Sequence, residues 1–414
     1  MKKNKNKLFP LYLTNFLGVF DDNLLKSLIS FISIYWVAQG YESLVIMMAT
    51  AFMVVPFILL SPYAGFISKT LLKQKVVVLL KSCEIFIMLI AIVGFWLESI
   101  VIVLSAMFLM GLQSTFFSPA KFALVRDIGG EAKSSIGTGT IEMTTFIGVL
   151  IGTFIAGILS DIGTNRIIWI GGMFLLVTIS GLISALKIKA IEPKPLTVRI
   201  KPLNFINFIR RKYNWSKKSV PGLNLVVLGL SLFWMIASLI QMNLLIHCPL
   251  TLGFSNTQTG IIMALVAVSI GAGSYFSGLI AGNKVEVGLI PLGGAGFLIS
   301  IFAIFFLNPQ GVWFAISIML AAFTGGLMKT PLNAWMQVKV KGRKLADGIA
   351  YNNMINFIFI LLSALIFGMA ETLYSSLFVF LIVGIIALFM VVLLTLKIKG
   401  MSQSIKSILK VFNR

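Results

Sequence analysis

Twelve stretches of about 20 or more predominantly apolar residues recur along the 414-residue chain, and they leave few folds open. A bilayer core about 30 Å thick needs about 20 apolar residues of helix to cross it. The candidate spans are 11–37, 44–67, 76–97, 101–125, 136–160, 167–186, 221–245, 259–282, 288–308, 312–336, 348–370 and 376–396. Hydrophobic residues make up 58% of the sequence and charged residues 11%, with a mean hydropathy of +1.00. A soluble domain carries roughly 25% charged residues and could not hide this much apolar surface. The chain reads as an all-α integral membrane protein of twelve transmembrane helices.

Where the basic residues fall sets the orientation. With the N-terminus inside, the inside segments are KTLLKQK, RDIGGEAK, residues 187–220, NKVE, KVKGRK and the tail from Lys397, and they hold nearly all the Lys and Arg. The outside loops hold Arg166 against Glu42, Glu98, Asp161 and Glu371. The net charge of +21 is thereby spread over inside loops, as insertion and anionic lipid headgroups favour, and nucleic acid is not the expected partner. MKKNKNK leads into a long span without a cleavage site and reads as a retained cytoplasmic tail. Both termini are expected in the cytoplasm.

A six-helix half at 1–186, a basic linker at 187–220, a second half at 221–396 and a basic tail at 397–414 suggest a duplication. Gly65 recurs as Gly278, and Ser118-Pro119-Ala120-Lys121 recurs as Thr330-Pro331-Leu332-Asn333, at an offset of about 212 residues. Gly137 and Gly348 open the following spans in the two halves. Two six-helix halves around a central cavity describe the major facilitator architecture, whose binding sites lie near the midplane.

Ionisable residues within spans are costly, roughly 2.5–3.5 kcal/mol each on insertion scales, and so become functional candidates. Here they are Asp21, Asp22, Lys26, Lys81, Glu84, Lys121, Glu142 and Lys329. Asp22 lies near the middle of the first span, with Lys26 one turn on and able to pair with it. Asp21 points about 100° away around the helix. Asp22 fits either a transport role or a structural bond. Lys121 and Glu142 come out at similar depth, where an ion pair would be either functional or a latch between helices. Lys81, Glu84 and Lys329 carry side chains long enough to snorkel. Gly148, Gly152, Ala156 and Ser160 place small residues every four positions, the spacing that lets two helices approach closely.

Enzymatic readings find no residues to carry them. His247 lacks partners for a triad or a metal, and Cys83 and Cys248 make neither a disulfide framework nor a metal site. An HxxxxD pattern fails at Leu252, a DDxxD pattern fails at Leu25, and no Walker A loop is present. No cofactor is expected.

The segments NFLGVFDDNLLKSL, FFSPAKFALVRDI, GTGTIEMTTFIGVLIG, SLFWMIASLIQMNLLI and NKVEVGLIPLGGAGF together resemble one branch of the major facilitator superfamily, the bacterial lysophospholipid transporters. The likeness runs from the first span to the eleventh and is nearest to members fused to acyltransferases. It implies flipping of lysophospholipids, chiefly lysophosphatidylethanolamine, from the outer to the inner leaflet of the cytoplasmic membrane, followed by reacylation inside. By position the family's first-helix aspartate falls on Asp22, followed by Asn23, its SPAK motif on Ser118–Lys121, and its fifth-helix glutamate on Glu142. Gly65, Lys73 and Lys75 keep the pattern of the loop after the second span, but its usual acid is replaced by Lys69. The arginine of stand-alone transporters is replaced by Gln241. The chain ends about twenty residues after the last span, so a reacylating partner is expected to be a separate protein.

A lysophospholipid needs a polar niche beside an apolar wall. Asp22 would receive the ammonium of an ethanolamine headgroup, with Asn23, Gln241 and Asn243 as hydrogen-bond partners. Phe16, Phe20, Phe233 and Trp234 would line the route of the tail, unless they serve only packing. Lys26 would hold Asp22 charged until cargo competes, Asp21 would support it, and Glu286 would serve a gate. Competing expectations are a transporter of another amphiphile or drug with Asp22 as a cation site, and a non-transporting scaffold for an acyltransferase. A monomer is expected among membrane lipids.

Overall fold

The computed structural model describes residues 7–129, 134–163, 165–192, 205–282, 285–340 and 343–398, together with Met401 and Ser404. Its helices are α1 (Phe9–Ile32), α2 (Glu42–Thr70), α3 (Lys73–Trp96), α4 (Ile100–Gly129), α5 (Ser134–Asp161), α6 (Arg166–Leu186), α7 (Phe205–Ser219), α8 (Leu223–Ile246), α9 (Asn256–Ala281), α10 (Leu289–Leu307), α11 (Gly311–Lys339), α12 (Arg343–Leu373) and α13 (Ser376–Lys397). The first expected span, 11–37, stops earlier as a helix: α1 ends at Ile32 and tightens into a 3-10 turn over Ser33–Trp36. Among the described residues, eleven helices are long and apolar enough to cross a membrane. Helix α1 is not one of these, because Asp21, Asp22 and Lys26 interrupt its apolar run. Helix α7 is of another kind. It places Arg210, Arg211, Lys217 and Lys218 opposite Phe205, Ile206, Phe208 and Trp215, with Lys212 over the Phe208 and Trp215 rings, as interfacial helices do.

The chain divides into two compact units. Unit 1 comprises Met1–Phe205 with Ser255–Ile261, and unit 2 comprises Ile206–Phe254 with Ile262–Arg414. In unit 1, α1 packs on α5 and α6, α3 on α4 and α6, and α2 on α4. In unit 2, α8 packs on α12 and α13 and α10 on α11 and α13, the same scheme seven helices later. Helix α1 is buried continuously from Phe20 to Ile32. A helix so enclosed can carry charge only where neighbouring helices supply partners.

Close approach explains the small-residue row of α5. A Cβ on Gly148 would lie 2.9 Å from the Phe16 carbonyl oxygen, and one on Gly152 would lie 2.6 Å from that of Phe20. Ala156 and Ser160 on the same row are buried. Gly65 differs: no atom lies within 4 Å of where its Cβ would be, so packing does not demand glycine there.

Where α2 leads into α3, the Lys73 ammonium lies 2.9 Å from Asp127 Oδ2 and 3.4 Å from Glu192 Oε2. The Glu192 carboxylate also accepts the Lys73 backbone N–H and, at 2.8 Å, that of Gln74. It thus caps α3, whose first backbone donors lack helical partners. Lys73→Met is expected to lower stability by about 1.5–3 kcal/mol, the worth of hydrogen bonds to charged groups. Thermal unfolding of the purified protein checks it, with the exposed Lys75→Met as the unaffected comparison.

Candidate functional site: a buried charge cluster in unit 1

The costly residues of α1 meet partners on α3 and α4. Lys81 and Glu84, one turn apart on α3, form a bidentate ion pair at 2.9 and 2.6 Å, with side chains 0% and 1% exposed. Neither snorkels, because both point into the unit. Gly18 on α1 makes room: a Cβ there would lie 2.5 Å from Lys81 Nζ. Gln113 on α4 donates to Glu84 Oε2 at 2.7 Å. Its neighbour Ser114 lies 3.0 and 2.9 Å from the two Asp22 carboxylate oxygens and 3.1 Å from Gln113 Oε1. A polar chain therefore runs from Lys81 through Glu84, Gln113 and Ser114 to Asp22.

Asp22 is 7% exposed. Lys26, to which the sequence pointed as a partner of Asp22, is buried one turn along α1. Asn23 turns its amide back to the Val19 carbonyl at 2.8 Å. Phe20 is buried, with its ring centroid 6.2 Å from that of Phe16. Asp21 is wholly buried, and among the described residues no hydrogen-bond donor reaches either of its carboxylate oxygens.

The Lys121 ammonium donates to Asn15 Oδ1 at 2.7 Å and lies 5.5 Å from the centroid of the Phe117 ring. Lys81 lies at the same distance from that ring. Asn15 in turn places its amide 3.1 Å from the Ile141 carbonyl and 2.9 and 3.1 Å from the Thr144 and Thr145 hydroxyls, joining α1 and α4 to α5. The Glu142 side chain, expected to pair with Lys121, lies outside the described residues.

In unit 2, Lys329 on α11 stands over the Trp234 ring at 4.4 Å and the Phe233 ring at 5.3 Å. Gln241 is half-buried one face along α8. Asn243 is wholly buried and donates to the Ser376 carbonyl at 2.9 Å, which commits its amide to joining α8 and α13. Glu286 accepts from Ser404 at 2.6 Å, and Ser404 accepts the Gly288 N–H, tying the tail to the start of α10. Sequence reasoning named Lys81 and Glu84 but missed Asn15, Gln113 and Ser114, which carry no charge to mark them. A cavity of about 230 Å³ bordered by Ile32, Phe95, Trp96, Glu98 and Arg166 contains none of the buried cluster.

Comparison with known proteins fits this architecture. The family profile of the Major Facilitator Superfamily matches residues 11–364. The lysophospholipid transporter LplT of Cronobacter sakazakii is 24% identical over 357 residues, covering 84% of each chain. The LplT of Photorhabdus laumondii is 25% identical over 301 residues, 69% of each chain. Among solved structures, the human organic anion transporter MFSD10 superposes with a TM-score of 0.70 at 15% identity, covering 95% of this chain and 100% of that one. A D-xylose–proton symporter superposes with a TM-score of 0.66 at 13% identity, covering 92% of this chain and 96% of that one. With most of its length matched by the family profile, this chain belongs to the major facilitator superfamily, as a multi-pass secondary transporter.

Proposed function

We propose that this transporter moves lysophospholipids, with lysophosphatidylethanolamine as the principal cargo, from the outer to the inner leaflet of the bacterial cytoplasmic membrane by alternating access. The observation that carries the reading is Asp22: a nearly buried carboxylate in α1 that the Ser114 hydroxyl meets at both oxygens. The likeness to LplT over 84% of both chains supports the cargo class. An ethanolamine ammonium is a fitting counter-charge, since a buried carboxylate is stabilised by a cation within hydrogen-bond distance. Asn23 and Phe20 flank Asp22 on α1. In unit 2 the proposal assigns Gln241 and Trp234 to the cargo, with Lys329 held on the Trp234 ring as a cation of the sign a phosphate requires. Asn243 is left to packing.

Asp22→Asn keeps the shape and removes the charge. Hydrogen bonds to charged groups are worth about 1.5–3 kcal/mol, so uptake of labelled lysophosphatidylethanolamine into proteoliposomes should fall about 10- to 100-fold. Uptake of lysophosphatidylglycerol, which has no ammonium, should fall far less. An equal response to both headgroups would remove Asp22 from headgroup recognition.

A further inference from the structure

At the opposite end of α3 from Lys73, unit 1 holds the cavity of about 230 Å³ that the buried cluster does not use. Its apolar walls include Ile32, Phe95, Trp96 and Ile167, and its charged groups are Glu98 and Arg166. Phe95 is packed against Trp36 and Phe174, with ring centroids 5.8 and 6.4 Å away, which fixes that wall. Among the described residues neither Glu98 nor Arg166 makes an ion pair, with each other or with any other group. Asp161, the acid of the α5–α6 connection, is committed elsewhere: it accepts the Asn256 and Thr257 N–H groups at 3.2 and 2.7 Å. One cavity thus presents an acid and a base that do not satisfy each other. A ligand carrying a cation and an anion on a short link would satisfy both.

The backbone shows that glutamate at position 98 comes at a cost. Helix α3 ends in a Schellman motif, in which the Ser99 N–H bonds the Gly94 carbonyl at 2.9 Å and the Glu98 N–H bonds that of Phe95 at 3.4 Å. Glu98 fills its left-handed position at φ 49°, where glycine is the usual residue and a Cβ is penalised. Helix termination gives no reason for a glutamate there, whereas the cavity does.

Size and setting narrow the ligand. Pockets that enclose a whole small molecule run to about 300–1,000 Å³, so this one takes a headgroup and leaves the rest outside. Trp96 is itself 69% exposed, and Leu97, Ile168 and Trp169 beside the lining residues are exposed as well. Exposed tryptophans at the ends of membrane helices mark the headgroup level of a bilayer. We propose that this cavity binds the headgroup of an ethanolamine phospholipid. Arg166 takes the phosphate with its planar fork, Glu98 takes the ammonium, and the acyl chains lie on the exposed apolar surface beyond Trp96. A quaternary ammonium has no hydrogen to give Glu98, and a glycerol headgroup has no charge to offer it. The site stands apart from the transport reading, since a lipid is held here whether or not one is moved.

A phosphatidylethanolamine with a diazirine near the glycerol end of one acyl chain tests the site on the purified full-length protein in detergent. After illumination, mass spectrometry should find the label on the peptides carrying Trp96 and Ile167 in the wild type. Labelling should fall about 10-fold in Glu98→Gln and in Arg166→Gln, each of which removes one charged hydrogen-bond partner. Glu98→Gly gives the sharper contrast: it should unfold at a higher temperature, because glycine relieves the left-handed position, and still lose the label. Unlabelled phosphatidylethanolamine should compete, and phosphatidylglycerol far less. No label at this cavity in the wild type, or undiminished label in all three variants, overturns the proposal. Soluble phosphoethanolamine competing as well as the lipid would overturn the lipid as occupant. A labelled cavity in a protein that moves no lysolipid would support the site and count against the cargo; transport with an unlabelled cavity would do the reverse.

Discussion

Lys81→Met is expected to destabilise the protein by about 3–5 kcal/mol, the cost of removing one partner from a buried ion pair. The pair is 0% and 1% exposed and bidentate, so nothing but its own partners solvates it. Methionine fills most of the lysine's volume over Gly18, which makes the loss electrostatic and not a matter of a cavity. Glu84 would keep only the Gln113 amide as a donor to its carboxylate. Thermal unfolding in detergent measures the effect. The double variant Lys81→Met/Glu84→Gln should recover much of the loss, because neutralising both partners leaves no orphaned charge. A single variant as stable as the wild type would show that the buried pair carries no such cost.

Gly152→Leu should cost about 3 kcal/mol and abolish transport. The Cβ would already lie 2.6 Å from the Phe20 carbonyl oxygen, and that atom belongs to helix backbone. No rotamer change relieves such a contact, so α1 and α5 must separate. Overpacking of this kind costs about 1–3 kcal/mol, and leucine adds further carbons to a full space. The residue after Phe20 is Asp21, so the same displacement shifts the carboxylates relative to their neighbours on the other helices. Gly172→Ala is the matched comparison: nothing lies within 4 Å of its Cβ position, and helix propensity alone should gain about 0.5–1 kcal/mol. Thermal unfolding and uptake, measured on both variants, separate close approach from a general effect of substituting glycine.

The membrane helices were legible because a bilayer demands long apolar runs. The duplication was legible in Ser118-Pro119 and Thr330-Pro331, and the packing scheme repeats with it. The structure of the site was only half visible. Asp21, Asp22, Lys81 and Glu84 announced themselves by cost, but depth and facing were not written in the one-dimensional pattern. Lys81 and Glu84 could as well have reached for the interface, until Gly18 on another helix showed where they point. Partners such as Asn15, Gln113 and Ser114 are ordinary residues in transporter helices, and only the packing of α1 against α4 and α5 singles them out. The Lys73–Asp127–Glu192 cluster joins positions 54 and 119 residues from Lys73, a separation at which no local pattern survives.

The central claim is that the chain moves lysophospholipid across the bilayer, and a leaflet-transfer assay addresses it directly. Purified wild-type protein is reconstituted into liposomes, labelled lysophosphatidylethanolamine is added to one leaflet, and its arrival in the other is followed. The account predicts transfer well above that of protein-free vesicles, diminished about 10- to 100-fold by Asp22→Asn. Transport of a drug or other small amphiphile, with lysolipid transfer no faster than in empty vesicles, would contradict it.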